Sequence, residues 1–335
     1  MNTSLKKKII HFSSRFDRNE IDNSYPIDYC LPVYHTVSDE HLPHLKHIIN
    51  YKNKKQFEDD LDLMLKYFHF VNWDEFKDAI TGKIHFKEKF ALLTFDNGYR
   101  EFYDVIAPIL ERKGVYAINF INPKFINNGD MMFRAKTSII IDTIIARKQI
   151  QPIVTEYFGL KKASEKELIK KVNLINYLDQ GTLDELSLKI EIDFGKYLND
   201  YQPYLSEMEM KSLYERGFGF GAHSWDHPLY FELSCDEQLS QTFRSVDYLE
   251  ENGFQPECFA FPFTDFGVKN EFFKTIFEER SLFCSFGSAG IKLDSFYRNF
   301  QRIPMETGET AEEILKDQVS YFKLKKLFYK NKIRR

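Results

Sequence analysis

The chain has 335 residues, 43% of them hydrophobic and 29% charged, which suits one large α/β domain or two small ones with a full core. A net charge of −4 and a pI near 6.2 give no field for attracting nucleic acid, and that class of partner is excluded. Cys30, Cys235, Cys258 and Cys284 are scattered with no Cys-x-x-Cys pair, so they read as buried, reduced residues and not as a disulfide frame or zinc knuckle.

Residues 1–28 are polar, charged and aperiodic. The lysines at 6–8 are not followed by the apolar stretch of a secretory signal, and no run approaches a membrane span, so a cytoplasmic location is the expectation. Cys30–Val37 is a short β-rich run containing His35. The stretch 38–50 reads as a loop, with His41, His44 and His47 as exposed loop histidines. Phe57, Leu61, Met64, Leu65 and Phe68 recur at helical spacing, and Trp73–Ile80 is also helix-like.

The apolar run Phe90–Phe95 ends abruptly in Asp96-Asn97-Gly98, the pattern of a strand buried on both faces that stops at a turn. A helix through Phe102, Val105, Ile106, Ile109 and Leu110 follows, stopped by Gly114, and then a strand over Tyr116–Ile121. Strand, helix and strand with short connections make a βαβ unit and hence a parallel sheet. From 130 to 205 the alternation is interrupted by a mostly helical insertion rich in Ile, Lys, Leu and Glu. It resumes with capping boxes at Ser206, Ser234 and Thr310, and with strands over Phe218–His223, Cys258–Phe263 and Leu282–Phe286. The end of the chain, 323–335, is strongly basic. It reads as a solvated helix end, with weak peripheral membrane contact as the sharper alternative because Leu324, Leu327 and Phe328 share a face among lysines.

Chemistry concentrates where strands stop, which is where α/β folds build their sites. Besides Asp96, the segment Gly221-Ala-His223-Ser-Trp-Asp-His227 places two histidines four apart, and one helical turn there would aim both imidazoles at a shared metal. Phe259-Ala-Phe-Pro262 ends a third strand in a rigid aromatic-proline turn.

Taken in order, Leu93-Thr-Phe-Asp-Asn-Gly-Tyr99, His223-Ser-x-x-His227 and Phe259-Ala-Phe-Pro262 resemble the first three motifs of the polysaccharide deacetylases, the NodB-homology or carbohydrate esterase 4 family. The early Val33-Tyr-His35 strand resembles the extension of the poly-N-acetylglucosamine deacetylases, which supply an acid histidine there. The resemblance implies a distorted (β/α) barrel in a single domain over 1–335, with 1–87 as an N-terminal extension and 130–205 inserted. It implies hydrolysis of N-acetyl groups on a sugar or glycan, with Asp96 as general base and His35 as general acid. It further implies a weakly held divalent metal, expected to be zinc, on His223, His227 and Asn97, and substrate contacts from Tyr99, Trp225, Pro262 and Phe263. Amide hydrolysis needs an activated water, a stabilised oxyanion and a proton for the leaving amine, and such a set supplies all three.

Three departures stand out. Asn97 occupies the place of the family's second aspartate, no arginine lies near Pro262 in sequence to position the base, and no histidine follows His227. His35 accounts for the last. Asn97 keeps open a glycan-binding relative without metal, and an amide hydrolase acting on a small non-sugar substrate stays open because motifs fix the reaction class better than the substrate. The oligomeric state is not legible.

Overall fold

A computed structural model describes residues 21–335, so most of the aperiodic start at 1–28 lies outside the described residues. Among the described residues, eight strands form one all-parallel sheet: β1 (Pro32–Tyr34), β2 (Leu93–Asp96), β3 (Ala117–Ile121), β4 (Gly219–Ala222), β5 (Cys258–Ala260), β6 (Cys284–Gly287), β7 (Asn299–Gln301) and β8 (Ile303–Pro304). Their spatial order is β7-β6-β5-β4-β3-β2-β1-β8. The two outermost strands are separated in the chain by Arg302 alone. One extended segment therefore pairs with β6 through one half and with β1 through the other. That is possible only if the sheet curls until its edges meet, which makes the distorted barrel implied by the resemblance.

The strands are apolar on both faces, as a covered parallel sheet requires. Ile118, Phe120, Cys258, Ala260, Cys284, Phe286 and Phe300 form one buried cluster, while Leu93, Phe95, Ala117, Ile121, Phe220 and Phe259 belong to another, packed with the helices. These are the two sides of a period-two alternation. Gly221 is fixed by crowding: a Cβ there would lie 2.5 Å from the Phe120 ring.

The helices that pack around the sheet include α1 (Lys54–Tyr67), α2 (Trp73–Ile80) and α3 (Ala107–Lys113), the last preceded by a π-helical turn at Phe102–Ile106 and closed by left-handed Gly114. After β3 comes a helical stretch that includes α4 (Phe133–Ala146), α5 (Gln151–Tyr157), α6 (Glu165–Asn173), α7 (Gly181–Lys189) and α8 (Phe194–Tyr201). They bury their own core of Ile140, Ile144, Val154, Leu168, Leu183 and Leu186, which merges with Tyr99, Phe125 and Tyr204 at the barrel mouth. Capping boxes at Ser206, Ser234 and Thr310 open α9 (Glu207–Glu215), α10 (Cys235–Glu251) and α12 (Ala311–Leu327), with α11 (Asn270–Glu279) between the last two.

The basic tail corrects its sequence reading. It is not simply a solvated helix end: after α12, Lys332–Ile333 pairs with Leu293–Asp294, and the Arg335 side chain is buried between the carboxylates of Asp265 and Asp294. Two buried carboxylates, each within ion-pair distance, offset the lost solvation of the guanidinium. Leu327 and Phe328 stay exposed. No helix among the described residues is long and apolar enough to cross a membrane.

One buried ion pair ties β1, α1 and α12 together. Asp60 on α1 accepts from the Tyr34 hydroxyl at 3.1 Å and from the Ala311 N–H at 2.9 Å, and lies 3.2 Å from the Lys52 ammonium. Asp60→Ala leaves Lys52 buried and uncompensated, so it should cost about 3–5 kcal/mol. The expected outcome is a lower urea midpoint, read by circular dichroism.

Candidate active site

Neighbouring strands deliver their last inward-facing residues to one spot. On β1, Val33 and His35 share the inner side; on β2, Thr94 and Asp96; on β4, Gly221 and then His223 just beyond its end. Asn97 (φ 77°) and Gly98 (φ 65°) make the left-handed turn that stops β2 after Asp96. Past β4, Ser224 (φ 69°) and His227 (φ 65°) are also left-handed. The two histidines are thus brought together by an irregular turn and not by the helical turn read from their spacing. Ser224 Oγ accepts from the His227 N–H at 3.1 Å, and Asn122 donates to the His223 and Ser224 carbonyls. The imidazole centroids end 5.0 Å apart.

Asp96 is held by Arg302, whose Nη1 and Nη2 donate to its two carboxylate oxygens at 2.6 and 2.8 Å. Burial pushes the Asp96 pKa up, but the Arg302 guanidinium, through its charge and its two hydrogen bonds, holds it down at about 2. His35 is held by Glu306, whose Oε2 accepts from its Nδ1 at 2.5 Å and from its backbone N–H at 3.0 Å. That leaves His35 Nε2 free for the cavity. Burial works against its charge, and the Glu306 carboxylate overcomes this and raises its pKa above 6.5. Asp96 and His35 are therefore each held by a countercharge of their own.

His223 Nδ1 donates to the Ala260 carbonyl at 2.8 Å, and its Nε2 lies 3.8 Å from Asp96. Burial lowers its pKa to about 4 and that of His227 well below the ordinary value, so both imidazoles are neutral near pH 7. Three buried atoms here have no hydrogen-bond partner among the described residues: Asn97 Oδ1, His223 Nε2 and His227 Nδ1. Two neutral imidazoles and an amide oxygen are donors that suit a divalent cation. Among the described residues, no group of three His, Cys, Asp or Glu side chains is arranged to hold a metal. Asn97, which brings no charge, lines the same cavity as His227.

These groups open into a cavity of about 510 Å³, within the range of small-ligand pockets. The barrel supplies one wall through His35, Asp96, Phe261 and Phe263. The segment His47–Ile49 supplies a second, and Met132, Arg134 and Asn173 from the helical segment a third.

A family profile described as polysaccharide deacetylase matches residues 83–173 and 177–271, more than half of the chain. The chain belongs to the polysaccharide deacetylase family. It is accordingly a hydrolase of carbon–nitrogen bonds other than peptide bonds, with glycans as its substrate class. Similar folds include the Streptococcus pyogenes deacetylase PplD in complex with acetate (TM-score 0.56, 15% identity, covering 88% of this chain and 99% of that one). IcaB from Ammonifex degensii follows (0.55, 14%, 88% and 98%), and a de-N-acetylase from Aggregatibacter actinomycetemcomitans gives 0.54 at 16% identity, covering 86% and 99%. No curated protein matches the sequence.

The structure corrects several residues assigned to this deacetylase from sequence. Tyr99 is fully buried, ring against ring with His44 and Tyr204, and does not reach the cavity. It accepts instead from Asn97 Nδ2 at 3.5 Å, behind the site. Trp225 points away and packs on the Arg244 guanidinium, 4.0 Å from its ring. Pro262 is buried in its turn, and its neighbours Phe261 and Phe263 line the cavity. Of the three loop histidines only His41 is exposed. His44 is buried against Tyr197, with burial lowering its pKa to about 3, and His47 lines the cavity. His41 and His47 share the Asp142 carboxylate at 2.9 Å each. The arginine absent near Pro262 in sequence is Arg302, brought to Asp96 by barrel closure. Glu306 and Arg134 were also missed.

Two outcomes follow for the deacetylase. Lysine offers one point charge where Arg302 offers a fork, so Arg302→Lys should keep the far-UV spectrum and lower kcat about a hundredfold by misplacing the Asp96 carboxylate. Glu306→Gln removes the charge that raises the His35 pKa and leaves the burial that lowers it. The basic limb of the kcat/KM profile, above pH 6.5 in the parent, should then move to lower pH, with the loss of activity largest on the alkaline side.

Proposed function

We propose that this protein is a metal-dependent N-deacetylase that releases acetate from an amino sugar of a glycan. The observation that carries the reading is the pair of opposed countercharges across one cavity, Arg302 on the Asp96 carboxylate and Glu306 on the His35 imidazole. Such a pair is the arrangement that acid–base hydrolysis requires.

Asp96 accepts the proton of the attacking water as oxygen bonds to the acetyl carbon. His35 donates a proton to the amide nitrogen, the C–N bond breaks, and acetate and a free amine leave. With a pKa of about 2, Asp96 is a weak base toward bulk water, whose pKa is about 15.7. The water must therefore be acidified in place. A divalent cation held by His223, His227 and Asn97 would supply that acidification and polarise the acetyl oxygen. Phe261 and Phe263 offer apolar surface for a sugar ring at the same wall.

The neutral Asn97 supports a second reading, a glycan-binding relative that takes up no metal. One experiment separates the two: protein purified without added metal is assayed for acetate release from an N-acetylated chito-oligosaccharide while zinc is titrated against a chelator. The expected outcome is zinc-dependent release that mild chelation abolishes. Asn97→Asp, which adds a ligand charge, should tighten zinc by about tenfold or more. Acetate release unaffected by chelation, or zinc affinity unchanged in Asn97→Asp, would remove the proposed donor set.

A further inference from the structure

Two of the groups lining the catalytic cavity carry a countercharge of their own: Asp96 is matched by Arg302 at 2.6 and 2.8 Å, and His35 by Glu306 at 2.5 Å. Arg134 has no such partner among the described residues. Its Nη1 donates to the uncharged carbonyl of Asn173 at 3.2 Å, and its guanidinium carbon lies 4.8 Å from the Phe133 ring centroid. The acidic group it feels, Glu232, acts through space without forming an ion pair, and partial burial disfavours the arginine's charge. These contacts fix the direction of the guanidinium without neutralising it. The Phe133 ring in turn packs on Phe263, 6.2 Å between centroids, so the arginine is braced against the wall beside the Asp96 cluster.

A half-buried, oriented and uncompensated guanidinium in a substrate cavity is a binding group for an anion, because its fork matches the oxygens of phosphate and carboxylate. Asn97 works in the same direction, since an amide at that position adds no negative charge to the cavity. We propose that Arg134 forms an anion subsite, and that the N-acetylated substrate carries a phosphate or carboxylate on the same sugar as the acetamido group or on its neighbour. This rests on the deacetylase reading of the cavity and narrows it to acidic or phosphorylated amino sugars.

The test compares three substrates with the full chain: neutral N,N′-diacetylchitobiose, N-acetylglucosamine 6-phosphate and N-acetylmuramic acid. Arg134→Ala should raise KM about ten- to hundredfold for one or both anionic substrates with little change in kcat, and leave the neutral one unaffected. Arg134→Lys should recover part of the loss. The two anionic arms distinguish phosphate from carboxylate. An equal effect on all three substrates, or none on the anionic ones, overturns the subsite. If no substrate is turned over, the deacetylase reading fails on its own, and calorimetry decides the subsite. An anionic sugar that binds the parent chain and binds Arg134→Ala at least tenfold more weakly then supports it, and equal or absent binding overturns it.

Discussion

The ion pair between Arg302 and Asp96 is the constraint on which the rest of the site depends. Arg302 stands at the seam where β7 passes into β8, with its backbone N–H bonded to the Gly287 carbonyl and its own carbonyl accepting from Gly290. Its side chain is among the largest fully buried ones in the protein. A guanidinium in that position is tolerable only with a paired anion, and breaking such a pair leaves an uncompensated buried charge. Closure of the barrel and ionisation of the catalytic carboxylate are therefore one requirement. The sheet cannot seat Arg302 at the seam without Asp96, and Asp96 cannot stay charged in the barrel mouth without Arg302.

The same logic separates the other titratable groups by environment. His35 keeps a countercharge, so it retains a proton to give. His223 and His227 lie deeper, and burial leaves them neutral, His223 donating to the Ala260 carbonyl and His227 packed on the Phe263 ring. One type of side chain is thus shifted in opposite directions within one cluster, and Glu306 is what raises His35 where burial lowers His223 and His227. Glu306 also accepts from the backbone N–H groups of His35 and Thr36, so it fixes the end of β1 as well as the charge of the ring.

What was legible in the sequence was local. Asp96, His35 and the His223–His227 pair each stand where a short apolar run ends, and run and ending are both visible in a dozen residues. Barrel closure was not visible. Arg302 lies 206 positions from Asp96 and Glu306 lies 271 positions from His35, and no periodicity marks either. Tyr99 and Trp225 misled for the opposite reason. Each adjoins a functional residue in the chain, yet the left-handed turns after Asp96 and His223 send neighbouring side chains to different sides. Tyr99 goes into the aromatic layer beneath the helical segment, and Trp225 goes out to Arg244. His44 was likewise read by its loop, while its burial is decided by Tyr99 and Tyr197, which come from distant parts of the chain.

That aromatic layer also divides the labour of the cavity. Tyr99 and Tyr204 lie where the barrel meets α4–α8, and the stack they form with Phe125 belongs to the core of the helical segment. Met132 and Arg134, at the start of α4, reach the cavity from that second core, whereas every group assigned to the chemistry is carried by the barrel. Acid–base geometry is therefore set by strand ends locked through Arg302 and Glu306, and the shape and charge of the opposite wall by a helical layer with separate packing. Substitutions inside the helical core can retune what the cavity admits without displacing Asp96 or His35, which are held by Arg302 and Glu306, whereas Asn97, which donates to Tyr99, is tied to that layer.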